Sequence, residues 1–164
     1  MPEDGDKVIC LRNYWDTISE DEQPLVNGTI GYLKNSFNNF LRIPAYVTGG
    51  RLNQIDTINA DFCSDDGITI FKNLSMDKKM ILKGEPTLNW RENFKLSKNK
   101  KYMYSMPLNF TYGYAITCHK SQGSEWDNVL VIEEGFPFDK EEHQRWLYTA
   151  ATRAAKRLVI IRKV

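Results

Sequence analysis

The segment that follows Tyr114 gathers side chains that can hold nucleic acid. After a short apolar run it brings several hydrogen-bond donors and one certain positive charge close together: Thr117, His119, Lys120, Ser121 and Gln122. Groups of this kind suit contacts with phosphate and sugar, which position a strand without reading its sequence. A lone histidine is more often structural, but the whole string favours binding. We therefore predict that these five residues bind nucleic acid.

Two residues just beyond this string suit an approach to a ligand. Gly123 lets the backbone come close to a bound molecule, because it carries no Cβ. The Glu125 carboxylate can accept hydrogen bonds from a ribose hydroxyl. Trp126 can stack on a base, but a tryptophan beside an apolar strand is more often part of a core, and we favour the core.

A second cluster centres on Arg153 and spans residues 147–154, with the sequence LYTAATRA. Its small alanines allow close packing, so a helix here can press against a neighbouring domain. A guanidinium on such a helix can reach a phosphate across the domain interface and neutralise charge that develops during phosphoryl transfer. This effect is worth about 10³- to 10⁵-fold in rate. The plainer alternative is an arginine that caps or salt-bridges a sheet edge.

The elements around both clusters predict a βαβ unit. Short apolar runs predict buried strands at 114–118, 128–133 and 158–161. Asp139 is a good helix N-cap, and Glu142 three positions later resembles the partner in a capping box. Apolar residues then recur at helical spacing from Leu147 to Leu158. Strand, helix and strand in this order imply a parallel sheet, whose ligands bind at the carboxyl ends of the strands.

The first third of the chain predicts β structure. Strands are expected at 7–11 and at 29–33, the second directly after the Asn27-Gly28 turn signal. Residues 35–52 are rich in Asn, Pro and Gly and predict a loop. Further strands are expected at 57–62 and 68–71, on either side of a turn at 64–67. Residues 74–105 carry no clear pattern.

Together the two chemical clusters resemble motifs V and VI of superfamily I helicases, most closely the RecD-like and Dda-like branch. The resemblance implies that Thr117, His119, Lys120 and Gln122 lie along single-stranded DNA. It also implies that Gly123, Ser124 and Glu125 approach the nucleotide and that Arg153 is an arginine finger. Motif V would then couple DNA contact to the state of the bound ATP.

The N-terminal portion also resembles part of this family. Residues 5–8, 12–14 and 26–31 resemble the start of an SH3-like barrel that is inserted in the second motor domain. The resemblance implies an α/β fold: a partial RecA-like motor domain, with a parallel sheet and a βαβ unit, carrying an inserted SH3-like β-barrel subdomain. We expect residues 1–105 to form the SH3-like β-rich insertion and residues 106–164 the C-terminal part of the second RecA-like domain.

The sequence contains no G-x-x-x-x-G-K-[ST] loop. ATP and Mg²⁺ would therefore be bound mainly by an N-terminal RecA-like domain of a longer parent, and this fragment should be inactive alone. The expected partners are that domain and single-stranded DNA. An alternative is a stand-alone module that binds single-stranded nucleic acid without ATPase activity. A third and weaker interpretation, a purely structural domain, requires the string at 119–122 to be accidental.

Composition sets broader bounds. The net charge is only +1, but residues 72–101 are rich in lysine, which suits either a phosphate backbone or a solvated surface. Three cysteines without paired spacing favour a reduced, cytoplasmic protein and make a zinc site improbable. No apolar run is long enough to span a bilayer, so no membrane partner is expected.

Overall fold

The computed structural model describes residues 1–133 and 139–162. The chain divides into two compact units, Met1–Tyr114 and Ala115–Val164. Each unit is described by itself. No helix in the described ranges is long and apolar enough to cross a membrane.

Unit 1 is built on antiparallel strands. Its strands are β1 (Lys7–Cys10), β2 (Tyr14–Ile18), β3 (Pro24–Leu25), β4 (Ile30–Arg42), β5 (Gln54–Ser64), β6 (Ile70–Asp77) and β7 (Phe110–Tyr112). Five of them form one sheet in the order β6-β5-β4-β1-β7, and β2 pairs with β3 separately. The predicted strands at 7–11, 29–33, 57–62 and 68–71 are therefore confirmed in position, although several are longer than predicted.

The loop predicted at 35–52 is wrong for residues 35–42, because β4 continues to Arg42, and for the short helix Ala45–Thr48. Asn35 takes a positive φ of 53° and lies in an irregularity of the β4–β5 ladder, between Lys34 and Phe37. Asp4 accepts hydrogen bonds from the backbone N–H groups of Asn35 (3.1 Å) and Ser36 (2.7 Å). The asparagines that predicted a loop thus sit in a bulged but continuous strand.

The sheet is not closed into a barrel by the described strands. β6 and β7 are its two edges, and an isolated bridge between Met76 and Leu108 connects the segment before β7 to β6. Its core includes Phe62, whose ring lies 6.0 Å from that of Phe71 and 5.2 Å from that of Phe110. The structure therefore shows a mixed α/β fold, and a closed SH3-like barrel is not found among the described strands.

Three helices complete unit 1: α1 (Ala45–Thr48), α2 (Lys78–Lys83) and α3 (Trp90–Ser97). The last two lie in the stretch 74–105, whose sequence carries no clear pattern. Asn89 and Glu92 form a capping box at the start of α3, so local side-chain chemistry defines where this helix begins. Leu96 of α3 is fully buried in a second apolar cluster with Val47, Ile55 and Leu88.

Unit 2 contains the predicted βαβ arrangement. It consists of a 3₁₀ helix (Cys118–Ser121), β8 (Trp126–Glu133), α4 (Lys140–Ala151) and β9 (Ala154–Arg162). β8 and β9 pair in parallel, with Val131 opposite Ile160. Asp139 is the N-cap of α4, and its carboxylate accepts a hydrogen bond of 2.8 Å from the Glu142 N–H.

Three predictions for unit 2 need correction. No strand forms at 114–118, because the Thr117 carbonyl instead accepts hydrogen bonds from the N–H groups of Lys120 and Ser121. Helical spacing predicted that α4 continues to Leu158, but it ends at Ala151. The strands at 128–133 and 158–161 were also predicted to be buried, whereas Ile132 is 60% and Ile161 52% accessible. A parallel sheet is buried only when helices cover both faces, and the described part of unit 2 contains one α-helix.

Candidate functional site

The 3₁₀ helix arranges the first string of predicted site residues in two groups. Thr117, His119 and Gln122 are exposed, and Lys120 is partly exposed. Ser121 is buried, and its hydroxyl donates a hydrogen bond of 2.6 Å to the Cys118 carbonyl. The structure thus leaves four of the five side chains accessible to a ligand, while Ser121 stabilises the turn that carries them.

The turn that follows needs glycine at position 123. Gly123 has a φ of +84°, in the left-handed region that side chains disfavour, and a Cβ built there would meet no atom within 4 Å. The space beside this backbone is therefore open. Ser124 donates its N–H to the Ser121 carbonyl at 3.1 Å, and the Glu125 side chain is exposed. The three predicted nucleotide-binding residues line one accessible turn.

Arg153 connects the two predicted motifs directly. It lies in the turn between α4 and β9, a correction to its predicted place within the helix. Its Nη1 donates to the Ser124 carbonyl (3.2 Å) and its Nε to the Thr149 carbonyl (3.1 Å). Its Nη2 donates to Thr152 Oγ1 at 3.0 Å, and its own carbonyl accepts the Trp126 N–H at 2.9 Å. The guanidinium is thereby fixed in orientation.

Arg153 has no carboxylate partner among the described residues. In residues 1–133 and 139–162, each hydrogen-bond acceptor of its guanidinium is a carbonyl or hydroxyl oxygen, and no carboxylate forms an ion pair with it. A positioned cation with neutral partners is suited to receive an anion. The alternative for Arg153 was an arginine that caps or salt-bridges a sheet edge. The described residues offer no carboxylate for a salt bridge, but the bond to the Thr149 carbonyl in the last turn of α4 is a capping contact, so the arginine finger stays a prediction.

Cys118 shows how close the two motifs lie. Burial raises the pKa of its thiol, and the nearby positive charge of Arg153 acts in the opposite direction. Its Sγ also contacts the Trp146 carbonyl at 3.5 Å. Cys118 is thus a packed contact between the 3₁₀ helix and α4, and it holds the string of site residues against the helix that leads to Arg153.

A hollow of about 400 Å³ lies between the 3₁₀ helix and α4. His119 and Gln122 line one side, and Arg145 and Trp146 line the other. No feature of the sequence pointed to a function for Arg145. Arg145 pairs with Glu141, four residues earlier, and this spacing is typical of a solvated ion pair on a helix surface. The spacing therefore did not indicate that Arg145 lines the hollow.

No cluster of three or more His, Cys, Asp or Glu side chains capable of holding a metal ion occurs in the parts of the chain that are described. The guanidinium of Arg153 has the charge and donor geometry that fit a phosphate.

One family model and two individual proteins are similar to parts of this chain. Residues 112–161 match the sequence model of the UvrD-like helicase C-terminal domain. A stretch of 59 residues, 35% of this chain, is 48% identical to an uncharacterized protein of Methanocaldococcus jannaschii, of which it covers 5%. The Pif1 helicase from Candida albicans is 20% identical, with a TM-score of 0.47 over 97% of this chain and 31% of its own.

The resemblance to the C-terminal part of superfamily I helicases is therefore confirmed for the segment that carries both motifs. The matched segment covers less than half of the chain and includes all nine predicted site residues.

Proposed function

We propose that this chain is the C-terminal region of an ATP-dependent DNA helicase, with ATP hydrolysis completed by an N-terminal RecA-like domain of a longer parent. The observation that carries the proposal is the guanidinium of Arg153, which is bonded to the Ser124 carbonyl of the other motif and has no carboxylate partner among the described residues. One cation thus touches the turn that the resemblance assigns to the nucleotide. Arg153 would stabilise the negative charge that develops as the γ-phosphate is transferred.

The nucleotide side of the site consists of Gly123, Ser124, Glu125 and Arg153. The open backbone at Gly123 leaves room for a ligand, and the Glu125 carboxylate is exposed to accept ribose hydroxyls. ATP supplies the phosphoryl group for hydrolysis when it is bound. As the resemblance implies, ATP and magnesium would be held mainly by the N-terminal RecA-like domain of the parent.

The DNA side of the site consists of Thr117, His119, Lys120 and Gln122, which would contact the backbone of single-stranded DNA. Ser121 would act indirectly, because its buried hydroxyl stabilises the turn. Only a few residues separate these side chains from Ser124, and the Arg153 guanidinium bonds to that residue. A movement of Arg153 with nucleotide state would therefore be transmitted to the strand-binding turn, which is the coupling a motor requires.

We also propose the domain assignment implied by the resemblance. Residues 1–105 would be an SH3-like insertion and residues 106–164 the C-terminal part of the second RecA-like domain. The antiparallel sheet of unit 1 and the parallel pair of unit 2 are separate sheets, which supports a division of the chain into two parts. β7 lies beyond residue 105 and pairs with β1, so the sheet of unit 1 extends past the proposed boundary.

The test is ATP turnover by the longest natural parent protein, with and without single-stranded DNA. Arg153→Ala should lower DNA-stimulated turnover by about 10³-fold or more while oligonucleotide binding survives. Arg153→Lys should remain strongly impaired, because an ammonium is a compact point charge that cannot reproduce the planar fork of a guanidinium. Arg157→Ala is the matched control, since Arg157 is exposed on β9 in the same unit.

Two results would contradict the arginine finger: a wild-type parent without turnover, or an Arg153→Ala variant that is fully active. Wild-type binding of oligonucleotide without turnover would favour the alternative, a stand-alone module for single-stranded nucleic acid. The accessible Thr117, His119 and Gln122 side chains are compatible with that alternative.

A further inference from the structure

Helix α3 in unit 1 exposes two aromatic rings to solvent. Trp90 is 73% and Phe94 56% accessible, although both are large apolar side chains. They are four residues apart and therefore neighbours on one face of the helix. The opposite face is buried through Glu92 and Leu96, and it fixes the helix against the second apolar cluster. The exposed rings thus form a ridge on a rigid support.

Positive charges follow the same ridge. The Arg91 guanidinium lies 5.1 Å from the centre of the Trp90 ring, and the Lys98 ammonium lies 4.3 Å from that of Phe94. Lys95 is exposed on the next stripe of the helix. The one carboxylate on α3, Glu92, is turned inward and paired with Arg51 at 3.0 Å. No Asp or Glu occurs in the sequence between Glu92 and Glu125.

A hollow of about 230 Å³ borders the ridge. Phe94 lines it together with Arg12 and the polar residues Asn93, Ser97 and Asn109. Asp77 also lines it, but its carboxylate accepts hydrogen bonds from Lys79, Met80 and Thr87. Arg12 is exposed and makes no ion pair in the described residues. An aromatic wall, amide groups and an unpaired guanidinium together match the chemistry of a nucleobase with its phosphate.

We propose that this aromatic ridge binds single-stranded nucleic acid, with bases stacked on Trp90 and Phe94 and phosphates held by Arg91, Lys95 and Lys98. Aromatic faces alternating with cations are the combination that binds single strands without strong sequence preference. Charge complementarity selects a polyanion, and the two exposed rings select one that carries flat bases. This surface lies in unit 1, uses no residue of the two motifs, and requires no ATP hydrolysis.

The experiment measures binding of the full chain to a fluorescein-labelled oligo(dT) by fluorescence anisotropy over a range of salt concentrations. The double variant Trp90→Ala/Phe94→Ala should lower affinity by about tenfold or more. Trp90→Phe should retain most of the affinity, because it keeps a ring. Trp15→Ala is the matched control, since Trp15 is a similarly exposed tryptophan on β2 and should bind like wild type.

A second pair of variants tests the phosphate contacts. Lys95→Gln/Lys98→Gln should lower affinity and reduce the slope of log affinity against log salt by about 1.4, because each single-strand phosphate contact contributes about 0.7. An abasic oligomer of the same length separates stacking from charge: wild type should bind it about as weakly as Trp90→Ala/Phe94→Ala binds oligo(dT). Circular dichroism of each variant establishes that it is folded.

Failure of this proposal can be distinguished from failure of the proposed motif site. If Trp90→Ala/Phe94→Ala binds like wild type while His119→Ala/Lys120→Gln loses affinity, the ridge is refuted and the motif site stands. The reverse pattern supports the ridge alone. Equal binding of oligo(dT), the abasic oligomer and polyglutamate by wild type would also refute the ridge, because it would reveal a general polyanion surface. Cross-linking of iodouracil-substituted oligomer to Trp90 or Phe94 would support it.

Discussion

Asp77 carries more of the stability of unit 1 than its place in a lysine-rich stretch indicates. It ends β6, is only 5% exposed, and caps helix α2. Its Oδ1 accepts the N–H groups of Lys79 (3.0 Å) and Met80 (3.2 Å). Thr87 donates its hydroxyl to Oδ1 and its N–H to Oδ2, both at 2.7 Å. One carboxylate thus joins the sheet to α2 and to the chain that leads to α3.

These contacts set the expected cost of substitution. Loss of an N-cap costs about 1 kcal/mol, and each of the two Thr87 bonds contributes about 1 kcal/mol. Asp77→Ala should therefore lower the free energy of unfolding of unit 1 by about 3 kcal/mol. Asp77→Asn keeps an acceptor at Oδ1 but turns an NH₂ group toward the Thr87 N–H, so it should cost about 1 to 2 kcal/mol.

Hydrogen exchange of the β5 and β6 backbone amides measures this free energy within unit 1, independently of unit 2. Asp16→Ala is the matched control, since it removes the same charge from an exposed strand position without hydrogen bonds to the described residues. A loss below 1 kcal/mol in Asp77→Ala would refute the proposed role of the carboxylate. An Asp77→Asn variant as unstable as Asp77→Ala would show that charge, not the individual bonds, dominates.

Three further predictions concern unit 1. Gly31→Ala should cost about 3 kcal/mol or prevent folding, because its Cβ would lie 2.2 Å from the Cys63 carbonyl oxygen; Gly5→Ala, with φ +89° and open space, should cost about 1 to 2 kcal/mol in the same urea titration. Burial raises the pKa of the Cys10 thiol from 9.0 to about 11. Between pH 9 and pH 11 the native state therefore keeps a proton that the unfolded state loses. As the pH rises through this range, the free energy of unfolding should fall by about 2 kcal/mol relative to Cys10→Ala. The pKa of Glu92 is lowered: burial raises it, but the N–H of Asn89 and the guanidinium of Arg51 outweigh burial. The contribution of Glu92 to the free energy of unfolding should be fully present above pH 4.5, its ordinary pKa, and should be lost as the pH falls below that value. Thermal melts of Glu92→Gln should lack this acid dependence.

Local signals in the sequence correctly located several elements. Asp139 was identified as a helix N-cap because its side-chain oxygen can satisfy a free N–H in the first turn, and the structure contains this bond. The apolar run at 128–133 was correctly assigned to a strand, and so was the turn at 64–67 between β5 and β6. In each case a few adjacent residues contain all the physical information that the element requires.

The candidate site could be predicted only in part from such local signals. The sequence brought Arg153 to attention through residue type and spacing, and its role as a finger remains a prediction. Its bond to the Ser124 carbonyl joins residues 29 positions apart, which no local pattern contains. Ser121 also had the residue type of a ligand contact, whereas its hydroxyl is buried against the Cys118 carbonyl.

The sequence by itself determined the resemblance of the C-terminal segment to helicase motifs, because each motif is a short string of adjacent residues that can be recognised without knowledge of the fold. It also determined the βαβ order, since hydrophobic periodicity reports local conformation. Only the tertiary structure decided that α4 ends before Arg153, that β4 continues through Asn35, and that Trp90 and Phe94 are exposed. Strand pairing and burial decided these features, because both depend on residues distant in the chain.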